Sequence, residues 1–339
     1  MSAVKVAFVG LGRIASLLED DTRREKPASH AGAFSATPGA VLVGGWDTEA
    51  ERRLTFADRW SVPTDFRDAS NLITSLRPDI LVVATPPDSH GALVTLACEQ
   101  KVPVVVCEKP VTDHLPEARA LAKAVAKTST RVLVNHERRY ARDYRRVKGL
   151  IDAGTYGSLQ TIQAKLFMGR GRAPGEVLLW DGTHLIDILR YLTGQELGPI
   201  QAWGHAETPG AKLTARFPLG STEVFWETAS NRDHLVFELD LGFDRGRVRV
   251  GNGLYEEFVG GPSPLYDKMR SLLPVAVATE DLYPTGYFSG MAADAVLTAQ
   301  DPTHRPVSTL RDGLAALDAI DRTLRAAGSS LKRIARLPS

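Results

Sequence analysis

The sequence predicts a two-domain α/β chain: a doubly wound parallel α/β domain, then a domain with a largely antiparallel sheet. Three observations predict it. Residues 4–134 alternate short apolar runs with amphipathic stretches, the pattern of repeated βαβ units. The most apolar of these runs, 80–84, does not alternate, which suits a strand covered on both faces. From residue 197 to 252, strand-like runs follow one another without helices between them, as antiparallel strands do.

The 339 residues suffice for two domains with real cores. Lysine plus arginine is 41 and aspartate plus glutamate is 40, so no basic excess marks a nucleic-acid partner. No apolar run reaches membrane-spanning length, and residue 4 enters a strand without an apolar leader. A cytoplasmic location without membrane contact is the expectation. Cys98 and Cys107 make neither a disulfide scaffold nor a metal cluster; each is expected to pack as a small apolar side chain. No metal is expected.

The strand 4–9 runs into Gly10-Leu11-Gly12-Arg13-Ile14-Ala15, a G-x-G-x-x-A turn. Gly10 allows the tight turn, Gly12 lets backbone approach a pyrophosphate, and Ala15 permits close helix–strand packing. The N–H groups at the start of the following helix supply an anion site, which Arg13 and Ile14 border. Two glycines can also make a plain surface turn; the strand before them and the alternation after them favour a dinucleotide. Ile14, Leu17 and Leu18 read as the apolar face of that helix. A polar stretch follows to Pro27, then a short helical piece at 30–34 and a turn at Pro38-Gly39. This segment exceeds a minimal strand–helix–strand unit, so something projects from it.

The second strand, 40–47, ends in Asp47. An acid there accepts hydrogen bonds from both adenosine-ribose hydroxyls and repels a 2'-phosphate, which favours NAD over NADP. Arg52 and Arg53 either pair with a 2'-phosphate or stand as solvated helix charges. Residues 71–76 read as a helix. The strand 80–84 ends in Thr85-Pro86-Pro87-Asp88-Ser89-His90, where Asp88 or Ser89 can cap the next helix. That helix turns Ala92, Leu93, Leu96 and Ala97 inward. The strand 102–107 delivers Glu108-Lys109-Pro110 at its C-terminal edge, where open parallel sheets bind ligands. A helix over 114–127 and a strand over 131–134 lead to Asn135-His136-Glu137-Arg138-Arg139-Tyr140. The domain boundary falls after Ala141, giving domains 1–141 and 142–339, with the C-terminal helix able to pack back on the first.

In the second domain a helix over 142–153 stops at Gly154. Strands are read over 158–167, 197–208, 212–217, 222–229, 235–241 and 247–252, with hairpin turns at 218–221 and 244–246. A helix over 183–192 covers one face of the sheet. Gly260 opens a long irregular region. Helices follow over 286–299 and within 306–325, and the basic end 332–336 is solvated.

Two places carry chemistry. Lys109 leaves a central strand before a proline, which disfavours the α region for it and raises the chance of a cis bond. A cation aimed there stabilises alkoxide character as hydride leaves a bound alcohol; a surface lysine in a turn is the alternative. In Trp180-Asp181-Gly182-Thr183-His184, Asp181 stands where a helix should begin and His184 in its first turn. The helix N-terminus disfavours a charged imidazole and so suits a base. Asp181 either serves the chemistry or only caps the helix, and a hydrogen-bonded structural histidine is the alternative reading of His184. Asp187 lies on the same helical side as His184.

Together these pieces resemble the Gfo/Idh/MocA oxidoreductase family, relatives of glucose–fructose oxidoreductase and inositol dehydrogenase. The residues are Gly10 to Ala15, the run Thr85-Pro86-Pro87-Asp88-Ser89-His90, Glu108-Lys109-Pro110, and Gly182-Thr183-His184 with Asp187. The resemblance implies a Rossmann domain followed by an α/β domain with a large, mostly antiparallel open sheet, which makes a homodimer or homotetramer interface. It implies hydride transfer between NAD, or NADP, and a secondary alcohol or ketone of a sugar, polyol or similar molecule. Lys109 and His184 would line the site, with Thr85, Pro86, His90 and Glu108 at the cofactor and Asn135 and Arg138 near the substrate. In inositol-type relatives an aspartate stands four residues before the histidine. Trp180 stands there instead, with Asp181 one residue later; the indole can stack on a sugar ring or fill a smaller pocket. Two rivals stay open: an NAD-dependent glycoside hydrolase working by transient oxidation, and a non-catalytic dinucleotide or metabolite sensor.

Overall fold

The structure is a computed structural model, and residues 3–329 are described. Among the described residues two compact units emerge, one from residues 3–140 with 286–315, the other from 141–285 with 316–329. Residues 286–315 thus cluster with the first unit. The helix Tyr287–Gln300 belongs to the first unit because Phe288, Met291, Ala292, Ala295 and Val296 fill that unit's core.

The first unit is built on β1 (Val4–Val9), β2 (Ala40–Trp46), β3 (Ile80–Val83), β4 (Val104–Cys107) and β5 (Arg131–Val134), in the order β2-β1-β3-β4-β5. All four pairings are parallel. β3 and β4 are buried throughout, the burial that their unbroken apolar runs require. Burying a Val, Leu or Phe side chain contributes about 1.5–3 kcal/mol, so this core is the unit's main stabilising term. The register sets Val9 level with Trp46 and Val83, Val83 with Cys107, and Cys107 with Val134. The residues that follow these strands therefore share one edge: Gly10, Asp47, Ala84, Glu108 and Asn135.

Helices α1 (His30–Ala36), α2 (Ala50–Trp60), α3 (Ala69–Leu76), α4 (Pro87–Glu99) and α5 (Leu115–Val125) connect the strands. Three expectations change. After Gly12 the chain makes turns and a single 3-10 turn, Leu17–Asp20, not an α-helix. The projecting segment is tied to itself: Glu19 accepts from Ala28 N and Ser29 Oγ, both at 2.8 Å, and Ser29 caps α1. α4 begins at Pro87 with Pro86 as its cap, so Asp88 lies in the first turn and Ser89 Oγ bonds Thr85 Oγ1 instead. Its buried face is His90, Gly91, Val94, Ala97 and Cys98, with Ala92 exposed.

The second unit opens with α6 (Arg142–Asp152). Its sheet comprises β6 (Leu159–Phe167), β7 (Gln201–Gly204), β8 (Lys212–Leu219), β9 (Thr222–Ala229), β10 (Val236–Phe243), β11 (Gly246–Gly251), β12 (Leu254–Pro262) and β13 (Arg270–Val275). The order is β13-β12-β11-β10-β6-β9-β8-β7, antiparallel except for β6 with β9. The region after Gly260, expected to be irregular, thus supplies the end of β12 and all of β13. The expected strand 197–208 shortens to β7, and the β8–β9 turn is only Gly220-Ser221, since Pro218 pairs with Glu223. Alternating side chains bury one face, with Ile162, Leu166, Phe217, Trp226, Leu239 and Val250 inward. The helix Thr183–Thr193 buries Leu185, Ile186, Ile188, Leu189 and Leu192. On the other face, Arg247 pairs with Asp240, and Arg249 with Glu238 and Glu256. Among the described residues no helix is long and apolar enough to cross a membrane. The basic end 332–336 lies outside the described residues.

Candidate active site

At the C-terminal edge of the first sheet, Gly10 and Gly12 play different parts. Gly10 has φ +87°, and a Cβ there would lie 2.6 Å from the Ala84 carbonyl. Only glycine fits where β1 ends against β3. A Cβ on Gly12 would meet nothing nearer than Arg52 Nη1, at 3.8 Å. The N–H groups of Gly12, Arg13, Ile14 and Ala15 have no acceptor among the described residues. An open loop with unspent backbone donors fits a phosphate group, and it does so without the α-helix that the motif led one to expect. The residues present therefore suit a dinucleotide.

Asp47 is buried. Its Oδ2 accepts from Leu11 N at 2.8 Å and its Oδ1 from Glu49 N at 2.9 Å, so it ties β2 to the glycine loop. Thr85 is half-buried and Pro86 exposed. His90 is fully buried, with Nδ1 2.9 Å from Pro110 O and Nε2 2.8 Å from Thr85 O. Burial, against the pull of both carbonyls, drives its pKa down. His90 thus ties the loop after β3 to the loop after β4.

Glu108 is the centre of a buried cluster. His30 Nε2 lies 2.7 Å from its Oε1, and Asn135 Nδ2 donates to the same oxygen at 2.6 Å. Burial alone would raise the carboxyl, but His30, Lys109 and Asn135 outweigh it and bring it down to about 2. Lys109 N donates to Oε2 at 3.3 Å, and the Lys109–Pro110 bond is cis. Lys109 is half-buried. Glu137 moves the opposite way: burial raises its carboxyl against the pull of Arg138 and Lys109. The Tyr287 phenol is also raised, by burial and by Glu137. Lys109 thus has two nearby carboxyls, one held ionised and one biased toward its proton.

Sequence reasoning missed His30, Glu137 and Tyr287 in these roles. His30 stands 78 positions before Glu108, and no local spacing links them. Asn135 and Glu108, expected near substrate and cofactor, are nearly fully buried and hydrogen-bonded to each other. Asn135 Oδ1 and His30 Nδ1 have no partner among the described residues. Arg138 is half-buried.

In the second unit the helical run begins at Pro174, well before Asp181. A π-helical turn over Leu178–Gly182 joins it to the helix Thr183–Thr193. Asp181 is therefore no helix cap, and His184 does not face a free helix N-terminus. Gly182 packs against Trp226, a Cβ on it lying 3.5 Å from the indole. Trp180 and Asp181 are half-buried in the π turn, and His184 and Asp187 are buried. A π turn absorbs one extra residue, and such turns are frequent at functional sites.

Residues 4–136 match the oxidoreductase family with an NAD-binding Rossmann fold. Myo-inositol 2-dehydrogenase of Thermotoga maritima is 23% identical over 210 residues, covering 59% of this chain and 58% of that enzyme. The scyllo-inositol 2-dehydrogenase (NAD(+)) of Bacillus subtilis is 29% identical over 210 residues, covering 59% and 57%. The chain thus spans somewhat over half the length of these relatives. The WlbA dehydrogenase of Bordetella pertussis, solved with NADH and UDP-GlcNAcA, shares the fold with TM-score 0.76 at 20% identity, over 96% of both chains.

Proposed function

We propose that this chain, whose first unit carries the NAD-binding domain of the Gfo/Idh/MocA oxidoreductase family, is a dehydrogenase of a sugar, polyol or related secondary alcohol. One observation carries the reading. A glycine loop with unspent N–H donors and a lysine on a buried Glu108–His30–Asn135 support lie along one sheet edge. The inositol substrates in the relatives' names support a polyhydroxy substrate.

Gly12 and the N–H groups after it hold the pyrophosphate, Asp47 borders the adenosine ribose, and Thr85 and Pro86 edge the dinucleotide. The bound nicotinamide supplies the hydride acceptor or donor. Lys109 holds positive charge beside the carbinol oxygen, where alkoxide character develops. On the strength of the motif Gly182-Thr183-His184 with Asp187, His184 takes the hydroxyl proton during oxidation. Asp181 and Trp180 bear on substrate choice, as do Asn135 and Arg138. The open face of the second sheet, with Trp203, Phe225 and Leu272 exposed, supports association between copies of the chain.

The test is an NADH titration followed by reduced-cofactor fluorescence against keto-sugars, and NAD reduction with polyols. Tight NADH binding with substrate-dependent oxidation is expected. Binding without turnover on any member would refute the dehydrogenase reading. Failure to bind any coenzyme would refute the dinucleotide site.

A further inference from the structure

Arg52 and Arg53 are adjacent in sequence and differently employed. Arg53 is committed to the turn after β2: its Nη1 donates to Asp47 O at 2.6 Å and Thr48 O at 3.2 Å. Arg52 makes no hydrogen bond among the described residues. Its Nη1 stands 3.8 Å from Asp47 Oδ2 and 3.8 Å from where a Gly12 Cβ would be. Its side chain is 39% exposed, so the guanidinium is reachable from solvent.

The space between Gly12 and Asp47 is where the adenosine ribose belongs, since the second glycine meets the pyrophosphate and the β2 acid meets the ribose. The acid that should reject a 2'-phosphate is compromised in that task. It is 5% exposed, both its oxygens already accept backbone N–H groups, and a guanidinium faces it. A 2'-phosphate arriving there meets a partly exposed cation beside a carboxylate that is already occupied.

We propose that Arg52 is a coenzyme-specificity residue that takes the 2'-phosphate of NADP(H), so that the chain accepts NADP(H) as well as NAD(H). This rests on the dinucleotide reading above. With NAD(H), Arg52 turns to solvent and Asp47 keeps the ribose diol. With NADP(H), the planar guanidinium pairs with phosphate oxygens, a match that a lysine ammonium makes less well.

The experiment is direct binding of NADH and NADPH, followed by reduced-coenzyme fluorescence, to the wild type, Arg52→Ala and Arg52→Lys. The wild type should bind NADPH within about tenfold of NADH. Arg52→Ala should weaken NADPH about tenfold or more, as expected for losing a charge-assisted contact, and NADH less than about threefold. Arg52→Lys should recover part of the NADPH affinity. The proposal is overturned if the wild type binds NADH but not NADPH, or if Arg52→Ala moves both coenzymes equally or neither. Unchanged NADH binding also certifies that the variants are folded. If the wild type bound neither coenzyme, the dinucleotide reading itself would fall.

Discussion

Glu108 in the first unit and Glu257 in the second are both buried carboxylates, finished in different ways. Glu257 accepts from Arg146 Nε at 2.5 Å, Tyr156 Oη at 2.9 Å and Tyr255 Oη at 2.5 Å. Burial would raise its carboxyl, but these three donors hold it below the usual range. The Tyr156 phenol is pushed up to about 12 in return, by burial first and then by Glu257. Every neighbour of Glu257 gives it a hydrogen, and the result is a staple from α6 to β12. Glu108 instead sits among groups with capacity left over: His30 Nδ1 and Asn135 Oδ1 lack partners among the described residues, and half-buried Lys109 comes next. A buried polar atom without a partner costs about 1–3 kcal/mol. The neighbours of Glu257 are all donors that it satisfies, whereas Glu108 sits beside groups that keep hydrogen-bonding capacity among the described residues.

The sharpest break of this comparison is Lys109→Met. Turnover should fall about 100-fold to 1000-fold, the usual loss of a transition-state charge contact, while the NADH dissociation constant moves less than about threefold. Equal losses in both would make Lys109 part of the cofactor's support and not of the chemistry.

The two glycines separate architecture from site in the same way. Gly10→Ala should lower the free energy of unfolding by about 2–4 kcal/mol, because φ is +87° and the new Cβ meets the Ala84 carbonyl. Gly12→Ala should leave the melting temperature nearly unchanged and weaken NADH at least about tenfold, since the space above it is open. Melting curves and coenzyme titrations on the same samples read both.

A smaller effect is expected at Glu257→Gln: about 2 kcal/mol of stability lost in urea unfolding, with NADH affinity unaltered. A change in coenzyme affinity would show that the staple serves the site.

The smallest effect is a pH slope. The folded pKa of Glu108 lies below the unfolded value, so its stabilisation is complete above the ordinary value of 4.5 and is lost as pH falls toward about 2. Urea unfolding of the wild type should weaken across that window. Glu108→Gln should flatten the profile there; an unchanged slope would mean that the carboxylate is not stabilised as its contacts suggest.

The first unit was the more legible. Its strands announce themselves as unbroken apolar runs, and the register of a parallel sheet then brings Gly10, Asp47, Glu108 and Asn135 to one edge. The helix expected after Gly12 does not form, because apolar spacing at Ile14, Leu17 and Leu18 does not distinguish an α-helix from turns with a 3-10 end. Around His184, local capping logic put a helix start at Asp181. The π turn that carries the helix through this point depends on packing such as that of Gly182 against Trp226. β12 and β13 are not legible because the glycines and prolines of 260–264 read as loop, although Gly260, Gly261 and Pro262 end β12 and pair with β13.

By itself, the sequence determined the βαβ alternation, the strand-end placement of the glycine loop and of Glu108-Lys109-Pro110, and the switch to successive strands. These follow from hydrophobic period and from residues whose backbone limits are intrinsic. Only tertiary structure decided that His30 supports Glu108, that Asp47 turns to the backbone while Arg52 stands before it, and that Tyr287–Gln300 joins the first core. Each of these is a contact between residues distant in sequence, chosen by which buried polar and apolar surfaces could be satisfied together, and no local pattern encodes that choice.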